Sequence, residues 1–450
     1  MKRVFTKALS TWKHSTPRKP LVLKGSRQVG KTYILKSWGA TAFPRVHYVN
    51  FEKHPECGRV FNKDFDVQRI VRDLGIVLRT TIEPMTDLLV MDEIQACPRA
   101  LTALKYFCED LPELAICTAG SLLGVILSEE SFPVGKVTFL HLHPMSFGEF
   151  VLACGEERLL PYIEHFAVDA DIPEPIHDQC WDLLKQYYFT GGMPEAVATW
   201  IKHSDRPGIA ATKTRSIQRN IIASYEQDFA KHAGRINAVH IQALYRNVPM
   251  QLAETHDNTT RRFQFSHVMA GKQGFAAWER PLHWLINAGL VIKVAIANSA
   301  SLPLAHFTKP NLFRLYVHDI GLLACMLDLP REALIEQDYG IAKGFFAENF
   351  VAQALRAANS EEILPLTSWQ EGTAEIEFVR PMGNGIIPIE VKAGHRTKAK
   401  SLARYMELYS PPLAIKISAN PLAMDASRRL LHLPLYLADW AARFATANSK

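Results

Sequence analysis

The octet Gly25-Ser26-Arg27-Gln28-Val29-Gly30-Lys31-Thr32 constrains this chain more than any other stretch. It satisfies the pattern G-x-x-x-x-G-K-[ST] at every fixed position. An apolar run, Leu21-Val22-Leu23, precedes it, and a helix-compatible stretch from Tyr33 to Trp38 follows. Strand, glycine-bordered turn and helix in that order collect backbone N–H groups at a helix N-terminus, where the charges of a triphosphate can be held. Glycine is needed because the main chain must come close to the phosphates. In this pattern residues 25–32 cradle the ligand, Lys31 reaches the β- and γ-phosphates, and the Thr32 hydroxyl ligates Mg²⁺.

A second run, Leu88-Leu89-Val90-Met91-Asp92-Glu93, leads four apolar residues into two carboxylates. It suits a strand buried on both faces of a parallel sheet, whose C-terminal end opens at the ligand crevice. Asp92 is placed there to hold Mg²⁺ and Glu93 to orient and polarise the attacking water. The segments between and after are βα units. Val46–Phe51 reads as a strand, residues 60–78 have helical apolar spacing, and Leu101–Leu111 reads as a helix after Pro98. Leu114–Cys117 is a short strand ending at Thr118-Ala119-Gly120-Ser121, and Val137–Leu142 alternates like a last strand. At the end of the strand beside Asp92, Ser121 or Thr118 can sense the γ-phosphate. Ser121 can equally be a helix N-cap. The fold class expected is α/β, a P-loop NTPase parallel sheet over residues 1–150.

The 450 residues allow two to four domains. A hydrophobic fraction of 48% and a charged fraction of 21% match ordinary soluble proteins, and no apolar run approaches a membrane span. The first residues lack the apolar core of a signal peptide, and seven scattered cysteines without a C-x-x-C pair suit reduced thiols, so a cytoplasmic location is expected. His54 and Cys57 have a ligand-like gap but no second pair, and His141 and His143 on one strand face read as surface histidines rather than a metal pair. No Asp or Glu precedes Glu52, whereas eleven Lys and Arg do. That basic end reads as a solvated face around a phosphate site, with a nucleic-acid surface as the sharper alternative.

Four runs together resemble a known family: residues 25–32, Met91–Gln95, Leu142-His-Pro-Met-Ser-Phe-Gly-Glu-Phe150 and Phe189-Thr-Gly-Gly-Met-Pro-Glu-Ala196. They are similar to those of AAA-type prokaryotic ATPases that carry a C-terminal domain of unknown function 4143. The resemblance implies ATP as the nucleotide, although the loop by itself reads only phosphates and does not separate ATP from GTP. It also implies a helical lid over residues 151–230 containing the turn at Gly191-Gly192-Met193-Pro194. The family usually reads Thr-Gly-Ser-Ser where this chain has Thr118-Ala119-Gly120-Ser121. No arginine finger can be picked among Arg99, Arg158, Arg215 and Arg219, and a finger from a neighbouring subunit leaves an oligomer open.

Residues 231–305 read as short helices ending at Trp284–Ala288, then Gly289 and a β-rich run, which suits the third helix and wing of a winged helix. That helix is not notably basic, so packing is favoured over DNA binding. Phe313–Leu323 matches a further family segment. In residues 306–430, Ala374–Val379 alternates acid and apolar residues, Met382-Gly383-Asn384-Gly385 supplies a hairpin turn because Asn-Gly accepts positive φ, and Ile386–Lys392 returns as a strand. Glu390 and Lys392 share a face, as do Glu375 and Glu377. Together with Glu348 on an upstream helix, this layout resembles PD-(D/E)xK nucleases, a C-terminal nuclease-like α/β domain. Paired acids there bind Mg²⁺ and the lysine steadies the attacking water. The departure is Glu377 where the pattern wants Asp, and the alternative is a nuclease-like scaffold whose acids pair with Lys392.

The function expected is Mg²⁺-dependent ATP binding with slow hydrolysis, switching a DNA or protein target and with no membrane partner. An ATP-regulated nuclease and a non-hydrolysing, nucleotide-gated protein scaffold are the alternatives.

Overall fold

Alternate residues of the N-terminal strands divide between two cores, which is what makes this sheet an internal layer. The computed structural model describes residues 1–120, 123, 135–164, 172–232, 234–254, 262–271, 274–335, 343–362, 364–383, 385–394 and 400–441. They form two units: Met1–His143 with the short segments Asn287–Gly289 and Ser360–Ile363, and Pro144–Ile286 with Leu290–Asn359 and Leu364–Lys450.

The first unit carries strands β1 (Leu21–Lys24), β2 (Val46–Asn50), β3 (Leu88–Asp92), β4 (Ala115–Ala119) and β5 (Thr138–His141) in the order β2-β3-β4-β1-β5. Every pairing is parallel. Val22, Leu89, Met91 and Ile116 face one core, closed by Ile70 and Leu74 of the helix Val67–Leu78 and by Leu104 and Phe107 of the helix Pro98–Asp110. Leu21, Leu23, Leu88, Val90 and Cys117 face the other, closed by Leu9 and Trp12 of Thr6–Lys13 and by Ile34, Leu35 and Trp38 of Lys31–Ala42. With both faces covered, β3 and β4 are buried at every position, so their sequences read as unbroken apolar runs.

One expected helix is shorter than its periodicity. The apolar spacing over residues 60–78 spans a break, and the helix starts at Val67. Asp66 caps it there, accepting from the Gln68 and Arg69 backbone N–H groups. This satisfies donors that an uncapped helix start would leave to water.

The second unit begins with helices, among them Phe147–Ala153, Glu174–Thr190, Pro194–Lys202, Pro207–His232 and Arg235–Glu254. Strands β6 (Val291–Ala297), β7 (Thr308–Val317), β8 (Leu366–Glu371), β9 (Ala374–Met382), β10 (Gly385–Val391), β11 (Ala414–Ser418), β12 (Ala423–Asp425) and β13 (Leu430–Pro434) then form one mixed sheet, ordered β12-β13-β11-β10-β9-β8-β6-β7. Here the structure departs from the expected boundary at 305/306. The β-rich run expected as a separate wing, β6, pairs antiparallel with β7 and parallel with β8. A strand's free backbone edge needs a partner, and β8 supplies it from beyond the boundary. At the expected hairpin turn Met382 pairs with Gly385, and Gly383 has a positive φ of 57°; Asn384 lies outside the described residues.

Three of the motif runs meet in a buried polar hub within this unit. The Gly192 N–H donates to Asp319 Oδ2 at 2.6 Å, and the Leu322 N–H donates to Asp319 Oδ1 at 3.0 Å. Met145 N–H reaches the Gly192 carbonyl at 2.7 Å, and Tyr187 Oη donates to the Met145 carbonyl at 2.5 Å. Gln353, from the helix Lys343–Ala357, donates to Tyr187 Oη and accepts from the Ile320 N–H. A side chain at Gly192 would strike the Met145 backbone, and one at Gly321 would strike the Thr190 carbonyl.

Candidate functional site

The loop between β1 and the helix Lys31–Ala42 closes around glycines that cannot be replaced without cost. Gly25 has φ 150°, and a Cβ there would run into the Leu142 carbonyl oxygen. Gly30 has φ 97° and immediately precedes the first helical turn, a conformation that L side chains rarely adopt. Gln28 also has a positive φ, 64°. Arg27 and Gln28 are exposed, whereas Ser26, Val29 and Lys31 are buried. Lys31 Nζ donates to the Gly25 and Ser26 carbonyls at 2.8 and 2.9 Å. The buried Ser26 hydroxyl has no hydrogen-bond partner among the described residues.

Parallel pairing carries Asp92, the last residue of β3, to this loop. Its Oδ2 accepts from Thr32 Oγ1 at 2.8 Å and from Tyr48 Oη at 2.7 Å, and its Oδ1 accepts from the Glu93 N–H at 3.1 Å. Hydroxyl and carboxylate are hard oxygen donors, the chemistry that Mg²⁺ takes. The cradle, the helix N-terminus, the unpartnered Ser26 hydroxyl and this donor pair fit a magnesium-bound nucleotide. Glu93 follows in the left-handed region with φ 49°, and Gln95 Nε2 donates to its Oε2 at 2.5 Å.

Tyr48 and Asn50 are residues that sequence reasoning missed. Tyr48 stands two residues before the end of β2, and burial, with the Asp92 carboxylate beside it, pushes its phenol up to about 12. It therefore stays a donor at neutral pH, and Lys36 Nζ lies 3.4 Å from its ring centroid. Asn50 donates to Tyr48 Oη at 3.4 Å and caps the following turn through its Oδ1. Arg3 was missed as well: it donates to the His143 carbonyl at 2.8 Å and to the Val29 carbonyl at 3.3 Å, bracing the loop from outside. No local pattern marks these three.

Of the two sensor candidates, Ser121 lies outside the described residues. Thr118 is corrected: its buried hydroxyl donates to the Leu21 carbonyl at 3.1 Å, within the sheet. Arg99 donates to the Phe61 carbonyl, Arg158 pairs with Glu156, Arg215 bonds Gln218 and the Leu329 carbonyl, and Arg219 meets Asp328. His54 pairs with Glu56, and His141 stacks on His143 with 6.5 Å between centroids.

In the second unit, β9 and β10 bring Glu377, Glu390 and Lys392 together. Lys392 Nζ lies 3.2 Å from Glu377 Oε1 and 2.7 Å from Glu390 Oε1, and the Val391 N–H donates to Glu377 Oε2 at 3.0 Å. Burial first, and then the Glu377 charge, pushes Glu390 up to about 8 against the pull of Lys392. Burial opposes the charge on Lys392, but Glu377 and Glu390 outweigh it and hold the ammonium above its usual range. Glu348 adds to the charge that raises Lys392, and it has other partners as well: Tyr316 Oη donates to it at 3.1 Å, and Arg314, which also meets Glu375, lies 3.9 Å away. Among the described residues no group of three or more His, Cys, Asp or Glu is arranged to hold a metal ion. No helix among them is long and apolar enough to cross a membrane.

With this geometry in place, similarity to known families is informative. Residues 17–151 match AAA_14, an AAA domain; residues 182–333 match a domain of unknown function, DUF8612; residues 343–436 match another, DUF4143. No curated protein matches the chain. Solved structures similar to it include a Walker-type ATPase of Pyrococcus abyssi, with 14% identity over 72% of this chain and 94% of that one at a TM-score of 0.44. A RuvB variant of Thermotoga maritima is another, with 14% identity over 64% of this chain and 87% of that one at a TM-score of 0.31. The glycine cradle, the Thr32–Asp92 pair and the parallel sheet all fall inside the first matched segment, and the chain carries an AAA domain with a P-loop over residues 17–151 and a DUF4143 domain over residues 343–436.

Proposed function

We propose that this protein binds ATP with Mg²⁺ and hydrolyses it slowly, using the cycle to switch a DNA or protein target. The observation that carries the reading is the 2.8 Å contact between Thr32 and Asp92, which joins the loop after β1 to the end of β3 beside the glycine cradle. Lys31 and the backbone N–H groups of residues 25–32 hold phosphate oxygens. Thr32 and Asp92 hold the metal ion, which when bound offsets the charge of the phosphates. Glu93 accepts a hydrogen bond from water and aims it at the terminal phosphate. Seven unpaired cysteines fit a reducing, cytoplasmic setting.

Calorimetric titration and a phosphate-release assay test this. Lys31→Ala is expected to weaken ATP binding about 100-fold or more, the worth of a lost bond to a charged group. Glu93→Gln is expected to keep binding and lower kcat by about two to three orders of magnitude. Normal turnover by Lys31→Ala would overturn the assignment.

The convergence of Glu377, Glu390 and Lys392 favours one second reading, an ATP-regulated nuclease. Cleavage of DNA with Mg²⁺ or Mn²⁺ that disappears in Lys392→Ala supports it. Absence of cleavage with both metals leaves the cluster as a buried ion-pair network.

A further inference from the structure

Gln95 sits two residues beyond Glu93 and donates its side-chain amide to Glu93 Oε2 at 2.5 Å. Glu93 is held at φ 49°, a left-handed conformation costly for a residue with a side chain. Such strain persists where the surroundings over-determine it. The short 3-10 turn Ile94–Ala96, with buried Ile94 at its start, fixes the backbone between the two side chains. The other wall is Gly120, just past the end of β4. A Cβ built on Gly120 would collide with Gln95 Oε1 and press Leu123 Cγ at 3.0 Å. Gly120 is outside the left-handed region, so backbone freedom is not what requires glycine there. Room for the Gln95 amide is.

We infer that Gln95 is a positioning residue for hydrolysis, locking the Glu93 carboxylate toward the attacking water, and that Gly120 is glycine to seat it. The inference rests on the reading of Glu93 given above. A carboxylate has two oxygens and a soft terminal torsion. Fixing Oε2 to a neutral amide donor restricts that torsion and adds no competing charge. The locked geometry removes orientational freedom before the chemistry begins, and misplacement of about 1 Å costs orders of magnitude in rate. Gln95 touches no reacting atom in this scheme and acts through Glu93 alone.

Gln95→Ala, Gly120→Ala and the double variant, assayed with Mg·ATP in the full chain, test this. Gln95→Ala is expected to lower kcat about tenfold with ATP affinity changed by less than about twofold, the signature of an interaction used only in the transition state. Gly120→Ala displaces the flexible end of Gln95 and is expected to give the same split. The double variant is then no slower than either single one, because coupled residues do not add. A kcat unchanged in Gln95→Ala, or additive losses in the double variant, overturns the inference. A loss of ATP affinity equal to the loss of kcat/KM does so too, since that is the mark of a merely structural role. Glu93→Gln is run alongside: if it leaves kcat intact, the hydrolysis reading itself fails. If it stops turnover while Gln95→Ala does not, only the inference on Gln95 fails.

Discussion

At the residue scale, what sets this molecule apart is how its buried carboxyls are handled. Asp92 is offset by three donors at the nucleotide site. Among the described residues Asp319 has only N–H partners and no cation, and burial pushes it up to about 6. Because its folded value is raised above the ordinary 3.8, the carboxyl contributes stability that is present below that value and is lost as pH rises through 6. The difference is worth up to about 3 kcal/mol. Urea denaturation at pH 7 and pH 4 checks it: the native chain is expected to gain on Asp319→Asn as pH falls. A gap that does not change with pH would show that Asp319 does not titrate in this range. The loop residues were readable because the octet has a fixed local pattern. Tyr48 was not, because 44 positions separate it from Asp92 and only strand pairing makes them neighbours.

At the scale of elements, glycines separate local from tertiary demands. Gly192 approaches the Met145 backbone so closely that any side chain must move main-chain atoms, which have no flexible end to give. Gly192→Ala is expected to destabilise by about 3 kcal/mol or more, as strain in a packed core does. Gly208, at the start of the helix Pro207–His232, has nothing within 4 Å of its Cβ position. Gly208→Ala is expected to stabilise by about 0.5 kcal/mol through helix propensity. Thermal unfolding of the two variants measures both. The turn at Gly191-Gly192 was visible as a backbone break, but its partners were not, because Asp319 lies 127 residues away from Gly192. The same limit explains the wing. The run at residues 291–297 has the composition of a strand on its own, and nothing local says which edge it will join.

At the scale of the whole molecule, two units with their own cores predict separate responses to ligand. Mg·ATP at about 100 times its Kd adds about 2.7 kcal/mol to the part that binds it. In scanning calorimetry one transition, that of the unit containing residues 25–32, is expected to rise while the other stays. A single transition that moves as a whole would mean that the two units unfold together.

The sequence by itself determined the loop, the strand that delivers Asp92 and Glu93, and the α/β alternation. Each depends on side-chain spacing and backbone freedom within a few residues. Tertiary structure alone decided that Tyr48 meets Asp92, that Gly120 packs against Gln95, that Thr118 is spent inside the sheet, and that the expected wing belongs to the C-terminal sheet. Those outcomes depend on which backbone edges pair and which buried polar groups find partners. Both are settled between segments far apart in the chain, where no local pattern reaches.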